Sequence, residues 1–352
     1  MKQEIIHVVN LQSYGGIQKL VLELTSCLNN RGIVQNDVLA TRKVDLLKKT
    51  LPNNVNIIDV DNNNVFSRMK RIYEIFQSYH IIHFHGPYTL FQLVALFSGK
   101  QIVYTEHGTL QKANIKGTFK HFIQKRIFGR FYLEKFASTI IFISNWIQKD
   151  LSLKNKSQVV VYNGLTYYQP QLIQEDAFVL TIAARLIPKK RVHLAIDLMH
   201  KLRRYPTIKL QVIGDGIELE SLKALAGDLF NKTVFFLGYK KDAYNVIASS
   251  DIYLMTTDME PFGLVVLESM MSETLVLALN DSGGPTEILQ ENFQELIVDN
   301  VDGLAESVLY WKNHPKDKKE TEAALNMLYQ NNYTLNVMAE NYLKEYLKFD
   351  SQ

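Results

Sequence analysis

Met259-Glu260-Pro261-Phe262-Gly263-Leu264-Val265-Val266-Leu267-Glu268-Ser269-Met270-Met271 sets a carboxylate at either end of an apolar helix start. Pro261 closes the preceding segment and Gly263 lets the backbone come close to a neighbour. The helix is therefore expected to begin near Phe262, with several unpaired N–H groups turned outward. Such an end attracts anions. At about 1.5 Å rise per residue, Glu268 lies roughly 6–8 Å along the axis from that end. A buried helix that happens to carry two solvent-tipped glutamates would read the same way, and the stretch alone does not separate the two.

An extended ligand with a central anion would meet one carboxylate at each extremity, and a nucleotide sugar has that length and a diphosphate in the middle. Glu260 and Glu268, with Phe262-Gly263 between them, resemble the Glu-x7-Glu signature of the retaining glycosyltransferases of GT-B fold, in particular the large fourth family (glycosyl transferases group 1). The resemblance implies an α/β protein of two Rossmann-like domains, with parallel sheets facing across a cleft. It also implies that Glu260 contacts hydroxyls of the transferred sugar, that Glu268 holds the ribose, and that Phe262, Gly263 and Leu264 belong to the donor-binding set.

The composition bounds this reading. A chain of 352 residues that is 47% hydrophobic buries substantial cores and most naturally makes two domains. Its single cysteine, Cys27, excludes an intrachain disulfide, and its place between Leu24 and Leu28 reads as a packed core thiol rather than a nucleophile. No apolar run reaches the ~18–20 residues of a membrane span, and the first residues read as a strand rather than a leader. The expected place is the cytoplasm. Net charge is only +3, yet residues 1–165 hold 21 Lys/Arg against 10 Asp/Glu, or +11, which leaves −8 for the remainder. A basic half is suited to nucleic acid, an anionic membrane surface or an acidic substrate.

In chain order, Glu4–Val9 is followed by Gly15-Gly16 and an amphipathic helix with Ile17, Leu20, Val21, Leu24 and Leu28 on one side. Strand, glycine pair and helix start together suit a phosphate-cradling turn, and a plain tight turn would look the same. Strands near 33–40, 55–59, 81–84, 101–105, 139–144 and 159–162 alternate with helical segments, which argues a parallel sheet covered on both faces. His83 and His85 follow one such strand end, where α/β sheets place ligands. Two histidines two apart are capable of binding metal, but nothing nearby in the sequence completes a ligand set. A substrate-facing, acceptor-side or hydrogen-bonded role is expected instead. His107, at the tip of the next strand beside Glu106 and Gly108, is a candidate acid/base group or a satisfied loop histidine.

Lys112, Lys116, Lys120, Lys125, Arg126 and Arg130 are interleaved with Ile115, Phe119, Phe122, Ile123, Ile127 and Phe128, with no acid between Glu106 and Glu134. This pattern makes 112–130 a basic amphipathic helix. It is expected to rest on an anionic membrane surface, against the plain alternative of a solvated face over core. After Tyr162-Asn163-Gly164-Leu165, the stretch 166–175 lacks periodicity and reads as a linker. A second strand–helix series follows, with strands near 178–184, 210–214, 233–237, 252–255, 275–279 and 296–299 and two closing helices, the last over Leu335–Leu347. The expected domains are 1–165, 166–334 and a closing segment 335–352 that returns to the first domain.

Arg185, Lys189, Lys190 and Arg191 cluster just after the first strand of the acidic second half, and such cations suit a diphosphate. Gly214-Asp215-Gly216 follows a strand and opens a helix, but the third glycine of a dinucleotide fingerprint is missing, so a nicotinamide dehydrogenase is a poor rival. Asp59-Val60-Asp61 reads as a solvated strand end rather than a metal-binding pair.

The resemblance extends along the chain. It implies that Gly15-Gly16 reach the donor diphosphate, that His107 lines the donor sugar and that Arg185 and Lys190 grip the phosphates. It also implies that Gly238-Tyr239 border the base, and that Gly283-Gly284 belong to a structural segment. Ala184 and Arg191 stand where the family usually has glycine. The implied activity is metal-independent, retaining transfer of a sugar from a nucleotide donor to a glycan acceptor. That acceptor would be lipid-linked, in bacterial surface polysaccharide synthesis at the inner face of the plasma membrane, with no cofactor and no nucleic-acid partner. The alternatives are an inactive nucleotide-sugar-binding partner protein and a GT-B sugar-nucleotide epimerase.

Overall fold

The computed structural model describes residues 2–12, 15–42, 52–60, 64–108, 129–154, 157–173 and 176–349. Within 112–130, only Gly129 and Arg130 are among them. The chain divides into two compact units, Met1–Gly164 with Leu335–Gln352, and Leu165–Thr334.

The first unit holds strands β1 (Gln3–Val9), β2 (Val34–Ala40), β3 (Asn56–Asp59), β4 (Ile81–Phe84), β5 (Gln101–Glu106), β6 (Thr139–Phe142) and β7 (Gln158–Val160). All pair in parallel, in the order β3-β2-β1-β4-β5-β6-β7. Near-continuous burial along β1, β4 and β6 is what a parallel sheet covered on both faces requires. Its described helices up to residue 164 are α1 (Gly16–Arg31), α2 (Val65–Gln77), α3 (Thr89–Leu96), α4 (Gly129–Phe136) and α5 (Asn145–Leu151). α1 ends because Gly32 takes the left-handed region at φ 67°, which glycine enters without a Cβ penalty. α2 begins because Asn64 accepts hydrogen bonds from the N–H groups of Phe66 and Ser67.

The second unit holds β8 (Phe178–Ala183), β9 (Ile208–Ile213), β10 (Val234–Gly238), β11 (Ile252–Met255), β12 (Leu275–Leu279) and β13 (Ile297–Val298), in the parallel order β10-β9-β8-β11-β12-β13. Around them lie α6 (Val192–Lys201), α7 (Leu219–Ala226), α8 (Ala243–Ala248), α9 (Leu264–Met271), α10 (Gly284–Gln290), α11 (Val301–Asn313) and α12 (Pro315–Asn332). Its two ends are tied together: Leu165 N donates to the Tyr333 carbonyl at 3.0 Å, and the Tyr329 hydroxyl donates to the Leu165 carbonyl at 2.9 Å. The two parallel-sheet α/β units are the expected fold class.

Several expected boundaries move by one or two residues, and two of them have a visible cause. The helix after Glu260 begins at Leu264 rather than near Phe262, because Gly263 takes φ 89° at its N-cap. The last strand shortens to Ile297–Val298, because Gln294–Leu296 wind into a 3-10 turn.

The closing helix α13 (Leu335–Leu347) packs within the first unit. Met338, Ala339, Tyr342 and Tyr346 join Leu20, Leu24 and Leu28 of α1 and Ile5, Ile81 and Val103 of the sheet in one core, and partly buried Cys27 packs against it. Each large apolar side chain buried this way contributes about 1.5–3 kcal/mol. Tyr346 adds a polar tie, since its hydroxyl meets His83 Nδ1 at 2.6 Å in the interior. Tyr346→Phe is therefore expected to lower the unfolding free energy of the first unit by about 1–3 kcal/mol, through the buried nitrogen it strands. Urea unfolding followed by tryptophan fluorescence measures it, and an unchanged midpoint would show that the bond contributes nothing.

Candidate active site

In an open parallel sheet, ligands are held beyond the strands' carboxyl ends, where the strand order reverses. In the second unit that reversal lies between β8 and β11, so the loops after Ala183 and Met255 form the site. The first carries Arg185, Lys189, Lys190 and Arg191, and the second leads to Glu260. They are stitched together: the Thr256 hydroxyl donates to the Lys190 carbonyl at 2.8 Å, and Asp258 N donates to the Lys189 carbonyl at 3.1 Å.

The stitching brings Lys190 Nζ to 2.7 Å from Glu260 Oε2, with both side chains about four-fifths removed from solvent at 19% and 23% exposure. Two of the residues singled out in the sequence are thus one ion pair. Arg185 is exposed, and its guanidinium has no acidic partner among the described residues. Arg191 takes the left-handed region at φ 47°, the conformation that makes glycine the easy choice there. Its side chain compensates by gripping Asp281 with two charge-assisted bonds of 2.6 and 2.5 Å. That carboxylate holds the Arg191 guanidinium above its ordinary value.

The backbone of Glu260 is fixed from both sides. Its N–H donates to the Ser282 carbonyl at 2.7 Å and its carbonyl accepts from Gly284 N at 2.8 Å. A Cβ on Gly284 would lie 2.5 Å from the Pro261 oxygen, so only glycine lets the two loops meet. Gly283-Gly284 thus acts as a support for Glu260. Gly214 and Gly216 serve in the same way, because a Cβ on either would overlap the carbonyl oxygen of Ala184 or Leu186. The Gly-Asp-Gly run seats the cationic loop.

Glu268 lies on α9, one turn in from Leu264 and partly buried. Its field and that of Glu260 both reach Tyr253. Burial raises the Tyr253 phenol pKa, against a lowering bond to the Ala183 carbonyl, and the fields of Glu268 and Glu260 both add to the rise. Phe262 is buried, its ring edge-on to Tyr333 with centroids 6.1 Å apart, so its side chain packs inward rather than lining the site. Gly238 closes β10 at φ 67°, and Tyr239 beside it is 79% exposed, an uncovered aromatic face.

In the first unit the strand order reverses between β1 and β4, and the residues gathered there are histidines. His85 is buried between His7, at 2.9 Å from ring nitrogen to ring nitrogen, and His107, at 3.1 Å. His7 also meets Asn36 Oδ1 at 3.1 Å. His83 is fully enclosed, with one nitrogen on the Tyr346 hydroxyl and the other on Thr105 Oγ1 at 2.8 Å. That corrects the acceptor-side placement of His83, which supports the cluster from within. Nor does the expectation that nothing completes a metal-ligand set hold in space, because nitrogens of His7, His83 and His85 lie within 4.8 Å of one another. Sequence reasoning missed His7, Asn36, Thr105, Tyr342 and Tyr346. The available signal was a histidine inside the otherwise apolar Ile5-Ile6-His7-Val8-Val9.

Gly15 and Gly16 open α1, with Gly15 N bonded to Gln18 Oε1 at 3.2 Å. Arg130 is tied to Glu134 at 3.0 Å and to the Ser152 carbonyl at 2.9 Å, while the other five cations of 112–130 lie outside the described residues. No described helix is long and apolar enough to cross a membrane.

The model of the glycosyl transferases group 1 matches residues 166–326, and that of glycosyltransferase family 4 matches 14–166. Anabaena HepE, solved in complex with UDP and glucose, superposes with a TM-score of 0.79 at 18% identity, covering 97% of this chain and 99% of that one. The chain has the fold of the GT-B glycosyltransferases, two parallel-sheet Rossmann-like units. Among curated relatives, the lipopolysaccharide core biosynthesis glycosyltransferase LpsE of Rhizobium meliloti is 32% identical over 136 residues, 38% of this chain and 39% of that protein. The O-antigen biosynthesis glycosyltransferase WclY of Escherichia coli is 24% identical over 210 residues, 55% and 56% of the two. Each alignment spans less than two thirds of the relative's length.

Burial lowers the pKa of every ring in the histidine cluster, His7 and His107 to about 4 and His83 and His85 well below the ordinary value. Between about pH 4 and 6.5 the unfolded chain therefore binds more protons than the folded one, so stability is fully present above 6.5 and falls as the pH drops toward 4. Thermal unfolding at pH 7.5, 6 and 5 is expected to show a progressive loss, steeper than in a His7→Gln, His85→Gln double variant. Equal pH slopes in the two proteins would show that the cluster is not buried neutral.

Proposed function

We propose that the chain transfers a sugar from a nucleotide-sugar donor to a glycan acceptor with retention of configuration and without a metal ion. The observation that carries this reading is the Lys190–Glu260 pair at 2.7 Å, beside the exposed Arg185, at the strand reversal of the second unit. A diphosphate offers Lys190 and Arg185 more negative charge than one carboxylate does. Once Lys190 turns to it, Glu260 is left to accept hydrogen bonds from sugar hydroxyls. Glu268 takes the ribose and Tyr239 the base, as the family resemblance implies.

When the glycosidic bond breaks, charge grows on the leaving phosphate. Arg185 and Lys190 stabilise it there, each charged hydrogen bond contributing about 1.5–3 kcal/mol against about 0.3–1 for a helix end. The same leaving oxygen deprotonates the acceptor hydroxyl on the same face, so no protein nucleophile is assigned. The roles of LpsE and WclY, in lipopolysaccharide core and O-antigen synthesis, support an acceptor in bacterial surface polysaccharide.

The test is release of free nucleotide from a panel of nucleotide sugars with a glycan acceptor, in excess EDTA. Turnover is expected to persist in the chelator. Glu260→Gln should reduce kcat by about 10²-fold or more with a small change in nucleotide affinity, while Glu268→Ala should weaken the nucleotide by about tenfold. Activity lost in EDTA and restored by Mg²⁺ or Mn²⁺, or equal effects of the two variants on nucleotide affinity, would overturn the assignment.

The acceptor is proposed to be lipid-linked because the +11 charge of residues 1–165 suits an anionic leaflet, at about 1 kcal/mol per basic residue near the surface. Vesicles containing anionic lipid should sediment the protein at low salt and release it as salt rises. Indifference to such vesicles at low salt removes this part of the reading and leaves the transfer reaction standing.

A further inference from the structure

Arg31, Arg71, Arg130, Arg191 and Arg203 each meet a carboxylate at 2.5–3.7 Å. Two arginines of the first unit do not. Arg42, exposed just past the end of β2, donates from Nη1 to Gln12 Oε1 at 2.8 Å. Arg68, partly buried in the first turn of α2, donates from Nη2 to the Thr41 carbonyl at 2.7 Å, and its Cζ lies 5.6 Å from the centroid of the Phe91 ring. These partners are neutral, and among the described residues neither guanidinium has an acidic one. Asp59, whose strand sets it beside Ala40, forms no ion pair with either.

Arg68 is more than a cation resting on a surface. Its Nε–H is shut off from solvent and has no acceptor among the described residues, a costly state for a donor on a charged group. It also stands at the N-terminal end of a helix whose first turn holds no acid, where the backbone already carries partial positive charge and a second cation is disfavoured. An anion on this guanidinium would relieve both.

The two arginines are fixed to one another's surroundings. Arg68 holds the carbonyl of Thr41, the residue before Arg42, and Thr41 N donates to the Val9 carbonyl at 3.0 Å. Gln12, which holds Arg42, lies on the loop after β1, and Asn10 N of that loop donates to the Tyr88 hydroxyl at 2.9 Å. The loops after β1, β2 and β4 are thereby joined at the strand reversal of the first unit, beyond the carboxyl ends where open sheets hold ligands.

We propose that Arg42 and Arg68 bind a phosphate group carried by the acceptor, which makes the acceptor a phosphate-linked saccharide and not a neutral glycan. The site lies on the first unit alone. Its assignment to the acceptor rests on the glycosyltransferase reading, in which Arg185 and Lys190 already serve the donor diphosphate. A phosphate monoester carries about −1.5 to −2 charges at neutral pH, and its several oxygens suit two guanidinium forks. A single carboxylate would satisfy only one. The phosphate belongs either to a lipid carrier or to a soluble sugar phosphate, and the experiment separates the two.

Full-length protein with Arg185→Gln and Lys190→Gln, which removes the other phosphate-binding cations, is labelled with ¹⁵N at arginine and titrated with pyrophosphate at pH 6.5. The Nε–H resonances of Arg42 and Arg68 are expected to shift along one saturation curve. Arg42→Gln or Arg68→Gln should raise the Kd about tenfold or more, the loss of one charged hydrogen bond. Glucuronate, a carboxylate probe, should bind at least tenfold more weakly. With Arg185 and Lys190 restored, Arg42→Gln should raise KM about tenfold for an isoprenyl-diphosphate-linked sugar and leave KM unchanged for the alkyl glycoside of that sugar. A soluble sugar phosphate that equals the isoprenyl acceptor would assign the site to free phosphate, and a weaker one would assign it to the carrier.

Resonances of Arg42 and Arg68 that ignore millimolar pyrophosphate would overturn the proposal. So would glucuronate binding as tightly, or equal effects of Arg42→Gln on the charged and neutral acceptors. If Arg68→Gln does not fold, the exposed Arg42→Gln decides alone. Because anion binding is read without a donor, absence of transferase activity would overturn the acceptor assignment and leave the phosphate site. A silent titration in a protein whose parent is active would remove the site and leave the reaction.

Discussion

Burial on both faces of a parallel sheet is the constraint from which the rest follows. A central strand such as β1 or β4 has helices above and below it, so any polar side chain along its length must find its partners inside the protein. Chemistry is accordingly pushed to the strand tips, and to the tips where the strand order reverses, because there the covering helices diverge. In the second unit this gathers Arg185, Lys190 and Glu260 on two loops. In the first unit the same constraint acts on His7 and His83, which lie within strands and are fully buried. They persist there because every ring nitrogen of the two meets a partner at 2.6–3.1 Å.

The loops that carry charge depend on glycines that carry none. Gly284 lets the backbone of residues 282–284 run against Glu260 and Pro261, and Gly214 and Gly216 let the turn after β9 run under Ala184 and Leu186. A methyl group at any of them would push the supporting loop away by more than the tolerance of a hydrogen-bonded site. The Lys190–Glu260 pair is therefore held by its backbone more than by its own attraction. A partly buried ion pair recovers little beyond its desolvation cost, so the loops set the pair's geometry and the pair does not set the loops'.

Much of this was legible in the sequence, where the physics is local. The runs Ile81–Phe84, Ile252–Met255 and Leu275–Leu279 were placed to the residue, because apolar runs of four or five residues bounded by turn signals are too short for a buried helix. Arg185, Lys190, Glu260 and Glu268 stood out because their charges break an apolar or acidic background. The start of α9 was missed by two residues, since a left-handed Gly263 at the N-cap and a helical glycine are indistinguishable in sequence. His7 was missed for a different reason. Its partners stand 29 and 78 residues away, and only strand pairing, which sets His7 beside His83 in register, brings them together. Arg191 was seen as a departure from glycine, but its compensation by Asp281, 90 residues on, was not visible.

The two units thus gather polar groups at their strand reversals by opposite electrostatic means. In the second, cations and carboxylates face one another in a partly open loop cluster, with Glu260 already beside Lys190. In the first, burial has stripped the imidazoles of charge, and what remains is a string of neutral hydrogen bonds running from Asn36 through His7 and His85 to His107. A string of this kind places no ionised group in the interior. It survives only while the whole string is intact, because a single ring turned over reverses the sense of every bond beyond it.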